Sequence, residues 1–205
     1  MAKRLKASER RAAILAVARV LFADKGYYGV SVDEIARRLG VSPAILYRHF
    51  ASKEALYEAV LNAMAHQRES YVAAVVQSDG SFNEVLRHIT RIYTDSVSSD
   101  PDYLRMEMQS ALEDNSATRQ FFENRWRPIL DYIEYTIMEL QPLSAEPDTN
   151  PRVASMMFQG MLREALYAKC ITRSDRYQAF ELNELVDYLI DLFFKSVGYA
   201  ADTDA

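Results

Sequence analysis

Two short stretches of helical periodicity stand on either side of Gly40-Val41-Ser42, and their close spacing constrains this chain more than any other feature of it. In residues 31–53, SVDEIARRLGVSPAILYRHFASK, the residues Ile35, Ala36 and Leu39 fall on one side of a helix and Arg37 and Arg38 on the other. Ser31 and Glu34 have the spacing of a capping box, and Gly40 supplies the left-handed residue that ends the turn, with Val41 filling the corner. A second helix then opens with Ser42 as its cap and Pro43 at the first helical position, followed by Ile45, Leu46, Tyr47 and Phe50. Two helices joined by three or four residues that include a glycine match the DNA-binding helix-turn-helix, whose second helix lies in the major groove. Ala36 is small where a larger side chain would push the helices apart. An ordinary helical corner in a bundle has the same spacing, so the motif needs support from its surroundings.

Charge supplies some of it. The chain carries 24 Lys+Arg and 29 Asp+Glu, a net charge of −5 that looks unsuited to nucleic acid. Residues 1–53 hold 11 of the basic and 4 of the acidic residues, which leaves 13 and 25 for residues 54–205. The first part is therefore at +7 and the second at −12. A basic module on an acidic body brings one end of the molecule to phosphates and repels the other.

The motif also extends on both sides, through AILAVARVLFADKGYYGVSVDEIA before it and LYRHFASKEAL after. With Ile14, Ala18, Leu21, Phe22, Gly26, Ile35, Ala36, Gly40, Val41, Ser42, Leu46, Tyr47, Phe50, Lys53 and Leu56 in place, the first quarter of the sequence resembles the tetracycline-repressor (TetR) family of bacterial transcriptional regulators. The resemblance implies a DNA-binding domain over residues 1–53 and a helical effector-binding and dimerisation domain over residues 54–205. It implies a homodimer on a palindromic operator in double-stranded DNA, with repression released by a small, largely apolar effector. It puts Ser42, Tyr47, His49 and Lys53 on phosphates and Pro43, Ala44, Ile45 and Arg48 facing or flanking bases, and adds Ser31, Arg37 and Arg38 to the DNA-binding set. Many relatives have glycine and a hydroxyl residue where this chain has Ala44 and Ile45. Ile45 can still meet a thymine methyl, but the lost hydroxyl keeps open a second reading, a helical ligand-binding or catalytic protein whose N-terminal module no longer reads DNA.

Beyond the motif the chain is expected to be all-α, with about nine helices. Residues 8–25 read as the first, stopped by Gly26 and preceded by Lys3, Arg4 and Lys6, an arm that suits either the minor groove or solvent. A long helix from Ser52 toward Ser78 leaves the module as a lever arm and is broken at Asp79-Gly80. Ser81 and Glu84 make another capping box, Asp100-Pro101 precedes a short helix to Leu112, and Ser116–Leu140 forms a helix that Pro128 should kink or split. Residues 141–147 form the clearest loop, and Asn150-Pro151 restarts helix. Segments 151–172 and 181–197 are apolar on more than one face and so need two partners each. Gly160, Leu182, Leu185, Val186, Leu189 and Phe193 are therefore expected at a two-fold interface with a second copy.

An enzyme would need a nucleophile with its base, a carboxylate pair, a metal cluster or a phosphate loop, and the sequence offers none that convinces. No catalysis, cofactor or metal is expected. His66 and Glu69 have metal-ligand spacing but two ligands do not make a site, and Cys170 between Ala168 and Ile171 reads as a small core residue. A single cysteine suits a reducing compartment, and the longest apolar run, Tyr71 to Val76, is too short to span a bilayer, so a cytoplasmic protein without membrane contact is expected. On the middle helices that in the family enclose the inducer, Tyr93, Tyr103, Met106, Phe122, Trp126, Met157, Phe158 and Met161 offer flat aromatic walls and adaptable thioethers for an apolar ligand, although each would serve equally as plain core.

Overall fold

Ile14, Ala18, Leu21 and Phe22 recur at helical spacing because they are the buried face of α1 (Ala7–Lys25). Its start is held by the Lys6 amide, which donates to Glu9 Oε2 at 2.7 Å, and Gly26 ends it at φ 71° and ψ 177°, donating to the Phe22 carbonyl. Such a backbone is accessible at low cost only to glycine. The computed structural model describes residues 6–76, 80–113, 116–140 and 149–199, with backbone alone over 65–76 and 116–117. The helices that follow are α2 (Val32–Leu39), α3 (Pro43–Tyr47), α4 (Lys53–Val76), α5 (Phe82–Ser99), α6 (Asp102–Leu112), α7 (Ser116–Leu140), α8 (Pro151–Leu166) and α9 (Leu182–Ser196). A π-helical turn over Tyr167–Ile171 and a 3-10 turn over Asp175–Tyr177 connect the last two. Among the described residues there is no strand, and the chain is all-α.

The helices sort into two compact units. The first joins Met1–Gln67 to Asp102–Arg119, and the second joins Arg68–Pro101 to Gln120–Ala205. A division after residue 53 coincides with the start of α4, whereas the first unit runs on to Gln67 and takes in α6 from farther along the chain. In this unit Phe22 meets Tyr57 edge-on at 4.7 Å and Tyr27 meets Tyr57 edge-on at 5.2 Å, so the first helix, the connection after it and α4 share one aromatic cluster. Pairs of this kind add about 0.5–1.5 kcal/mol to the burial of the rings.

In the second unit the local signals act as read. Ser81 and Glu84 close both bonds of their capping box, at 2.9 and 3.3 Å, and Asn150 Oδ1 accepts from the amides of Arg152 and Val153 at the start of α8. Pro128 does not split α7, which is a single helix through it; the ring forgoes one backbone bond and the helix on either side is long enough to continue. Phe158 packs edge-on to Phe193 at 5.3 Å and Phe82 to Phe194 at 5.3 Å, and Arg87 and Arg91 of α5 pair with Asp187 and Asp191 of α9 on the rim. Lys3, Arg4, Asp79 and the loop 141–147 lie outside the described residues, as do the side chains of His66 and Glu69.

Candidate DNA interface

Ser31 caps α2 by accepting from the Glu34 amide at 3.1 Å, but only half of the expected box forms. The Glu34 carboxylate turns instead to the Lys25 ammonium at 2.5 Å, since a charged partner holds it more strongly than the Ser31 amide would. That hydrogen bond keeps the Glu34 carboxyl below the usual carboxylate range, with the charges of Lys25, Arg37 and Arg38 adding to it. At the other end Gly40 adopts φ 67° and ψ 32°, and the amides of Gly40 and Val41 return to the Arg37 and Ala36 carbonyls at 3.1 and 3.0 Å. A Cβ on Gly40 would meet nothing within 4 Å, so the left-handed backbone alone calls for glycine.

Ser42 has the extended backbone of an N-cap, and its carbonyl accepts from Ile45, but its hydroxyl makes no capping bond. Pro43 at the first position removes one of the amides such a hydroxyl would serve, and the exposed hydroxyl faces solvent. Along the five residues of α3, Leu46 is buried against the module, Pro43 and Ile45 are half-buried, and Ala44 and Tyr47 are exposed, Tyr47 by 55 %. Arg48 is exposed and His49 half-buried just beyond, while Arg37 and Arg38 are exposed on α2. The three arginines form no ion pair among the described residues, which leaves their guanidinium groups available to an anionic partner. Arg11 lies over the Phe50 ring at 5.0 Å, tying α1 to the end of the motif.

Lys53 has internal partners. Its ammonium donates to the carbonyls of Tyr27 and Val30 at 2.9 and 3.0 Å and stands 4.1 Å from the centroid of the Tyr27 ring. Beside it, the Tyr27 hydroxyl donates to Glu54. That bond, followed by one from Ser52, pulls the Glu54 carboxyl down to about 2, while burial and then the Glu54 bond push the Tyr27 hydroxyl up. Sequence reasoning assigned no role to Tyr27, Glu54, Gln109 or Glu113. Gln109 Nε2 of α6 reaches the Ala23 and Asp24 carbonyls at 3.5 and 3.3 Å, and Glu113 Oε1 accepts from the Tyr28 amide at 3.2 Å. The 85 residues that separate these partners along the chain leave no local signal for the contact.

The residues assigned to an effector pocket divide between the units. Tyr103 and Met106 are buried in the first; Tyr93, Phe122, Trp126, Met157, Phe158 and Met161 belong to the second. There Tyr93 meets Trp126 edge-on at 5.0 Å, Phe122 and Phe158 are buried, Met161 is half-buried and Met157 lies exposed on α8. Of the residues assigned to a two-fold interface, Val186 and Phe193 are buried in the unit's own interior, Leu182, Leu185 and Leu189 are half-buried and Gly160 is exposed. The large apolar residues on the outer faces of α8 and α9 are Val153, Met156, Tyr188 and Leu192, with Met156 64 % and Tyr188 63 % exposed.

Residues 14–60, which contain the whole helix-turn-helix, match the family model of bacterial regulatory proteins, tetR family. The HTH-type transcriptional activator FasR of Mycolicibacterium smegmatis is 36 % identical over 103 residues, 50 % of this chain and 47 % of that one. The chain spans about a third to a half of the length of the first curated relatives it matches. A TetR-like transcriptional regulator from Rhodococcus sp. RHA1 superposes with a TM-score of 0.76 at 16 % identity, over 96 % of this chain and 100 % of that one, which establishes the fold along the chain's length. AibR, solved in complex with isovaleryl coenzyme A and operator DNA, superposes with a TM-score of 0.67 at 25 % identity over 91 % of this chain and 97 % of that one. Motif, fold and sequence agree, and the chain belongs to the tetR family of bacterial regulatory proteins.

Proposed function

We propose that this chain is a cytoplasmic, homodimeric transcriptional repressor that binds a palindromic operator through α2 and α3 and releases it when a small, largely apolar effector binds among its later helices. The observation that carries this reading is the geometry of the motif. A left-handed Gly40 sets α2 against α3, and Arg37, Arg38, Ser42, Ala44, Tyr47 and Arg48 are turned outward from a stretch at +7. Tyr47, Ser42 and the arginines suit phosphates, and Ala44 and Ile45 suit the apolar edge of thymine. The relatives compared are regulators, and no described helix is long and apolar enough to cross a membrane.

Dimerisation is assigned to the outer faces of α8 and α9. Met156, Tyr188 and Leu192 are exposed there beside Gly160, where a Cβ would meet nothing within 4 Å. The protomer's own packing does not call for a glycine in mid-helix, where it costs about 1 kcal/mol relative to alanine, so close approach of a second copy accounts for it best. For the effector, the apolar side chains of Phe122, Trp126 and Phe158 favour an acyl chain, and the isovaleryl coenzyme A bound by AibR makes acyl thioesters the first probes. The lever is α4, which begins beside the motif and continues to Val76. A coupling of about 1–3 kcal/mol would change operator affinity about 5- to 150-fold.

Fluorescence anisotropy with the DNA upstream of the protein's own gene, at several salt concentrations and with and without isovaleryl coenzyme A, tests the reading. Expected are tight, salt-dependent binding in preference to unrelated DNA and weaker binding with the thioester. Equal affinity for unrelated DNA would overturn operator recognition, and an unchanged affinity across a series of acyl thioesters would overturn the effector class.

A further inference from the structure

The connection from α1 to α2 is gripped by two helices of the first unit. From α4, Lys53 holds the carbonyls of Tyr27 and Val30 and Glu54 takes the Tyr27 hydroxyl. From α6, Gln109 donates to the carbonyls of Ala23 and Asp24, and Glu113 accepts from the Tyr28 amide. Between these sits Gly26, where a Cβ would collide with Glu113 Oε1 and come within 2.7 Å of Gln109 Oε1. Gly26 thus meets two demands at once, a positive φ and the close approach of α6. Arg19 and Asp102 add an ion pair at 3.4 Å between α1 and the start of α6.

Two details separate this clasp from ordinary packing. The second carboxylate oxygen of Glu113 is buried without a hydrogen-bond partner, a destabilising arrangement that stability by itself does not explain. The chain also passes between the two units at 67/68, 101/102 and 119/120, so α4 carries the first passage and α6 lies between the other two. The α1–α2 connection is therefore held by both segments that continue into the second unit.

We propose that α6 is a second tether of the DNA-binding module, with Gln109 and Glu113 as positioning residues that fix the course of residues 26–31 and hence the placement of α2 and α3. A displacement of α6 is passed to the motif through this clasp, in parallel with α4. The operator-binding part of the proposal rests on the function proposed above; the ordering of the module by α6 does not.

The test compares full-length wild type, Gln109→Ala/Glu113→Ala and Glu113→Gln by amide hydrogen exchange, thermal unfolding and operator anisotropy. In the double variant the Tyr28 amide and the first amides of α2 are expected to exchange about tenfold faster, and operator affinity to fall about tenfold, while the thermal transition persists. Glu113→Gln retains an acceptor for Tyr28 and should stay within about twofold of wild type in both readouts. Unchanged exchange of Tyr28 in the double variant overturns the clasp, and faster exchange with unaltered operator affinity overturns its positioning role. If the double variant does not fold, Glu113→Ala alone is read by the same criteria. A wild-type protein that binds no operator defeats the regulatory reading, and the exchange arm still decides whether α6 orders the module.

Discussion

The Lys53 ammonium donates to the main-chain carbonyl of Tyr27 at 2.9 Å while standing 4.1 Å from the centroid of the same residue's ring. With the Val30 carbonyl it spends two of its three donors inside the protein, which makes it a brace between α4 and the α1–α2 connection and leaves one N–H for a phosphate. Lys53→Met keeps the aliphatic stem and removes the donors. It is expected to cost about 1.5–3 kcal/mol in urea unfolding, the range for hydrogen bonds to a charged group, and to weaken binding to all DNA sequences alike. A variant as stable as wild type would show that the brace is inconsequential, and a change in salt slope of about 0.9 per lost contact would reveal the remaining N–H on a phosphate.

Acid should act on the same corner of the module through Glu54. Its carboxyl ionises at about 2 in the folded protein against an ordinary value of 4.5, chiefly because the Tyr27 hydroxyl donates to it. A depressed carboxyl contributes stability that is fully present above pH 4.5 and is lost as pH falls toward 2. The stability difference between wild type and Glu54→Gln is therefore expected to shrink steadily below pH 4.5, followed by thermal unfolding across that window. A difference that stays constant would detach Glu54 from acid stability.

Thr94 departs from the other threonines of its environment. Thr90 and Thr136 return their hydroxyls to the carbonyls four residues back, at 2.7 and 2.8 Å, whereas the Thr94 hydroxyl is fully buried in α5 and has no partner. Thr94→Val should raise the unfolding free energy by about 1–3 kcal/mol, because it removes an unsatisfied polar group at nearly constant volume. Thr90→Val should instead be neutral or destabilising by about 1 kcal/mol. Denaturant titrations of the two variants side by side give the answer, and a destabilised Thr94→Val would show that the hydroxyl is satisfied in solution.

For assembly, Leu192→Glu and Tyr188→Glu place charge on the outer face of α9 without disturbing Phe193 and Phe194, which face the interior. Each is expected to weaken the dimer by at least about tenfold, since two-fold symmetry introduces the charge twice. Sedimentation velocity over a dilution series reads this directly. Dimers of undiminished affinity in both variants would move the interface elsewhere.

Much of this could be read along the chain. Gly26 and Gly40 as stops, Pro43 at the start of α3, the box at Ser81 and Glu84, the cap at Asn150 and the periodicity of Ile14, Ala18, Leu21 and Phe22 are all local, and each forms within a few residues of its signal. Caps, turns and amphipathic spacing are short-range chemistry, so sequence is sufficient to specify them. Tertiary structure decided whatever depended on which partner was nearest in space. Glu34 had a choice between the Ser31 amide and the Lys25 ammonium, and the charge prevailed. Lys53 found two carbonyls 23 and 26 residues back. Gln109 and Glu113 reached a connection 85 or more residues away, and Val186 and Phe193 turned to the interior of their own unit while Tyr188 and Leu192 were left outside. Helical periodicity says that a residue shares a face with others, but on a helix apolar all round it does not say which face the protomer itself will bury. That is settled only when the neighbouring helices take their places.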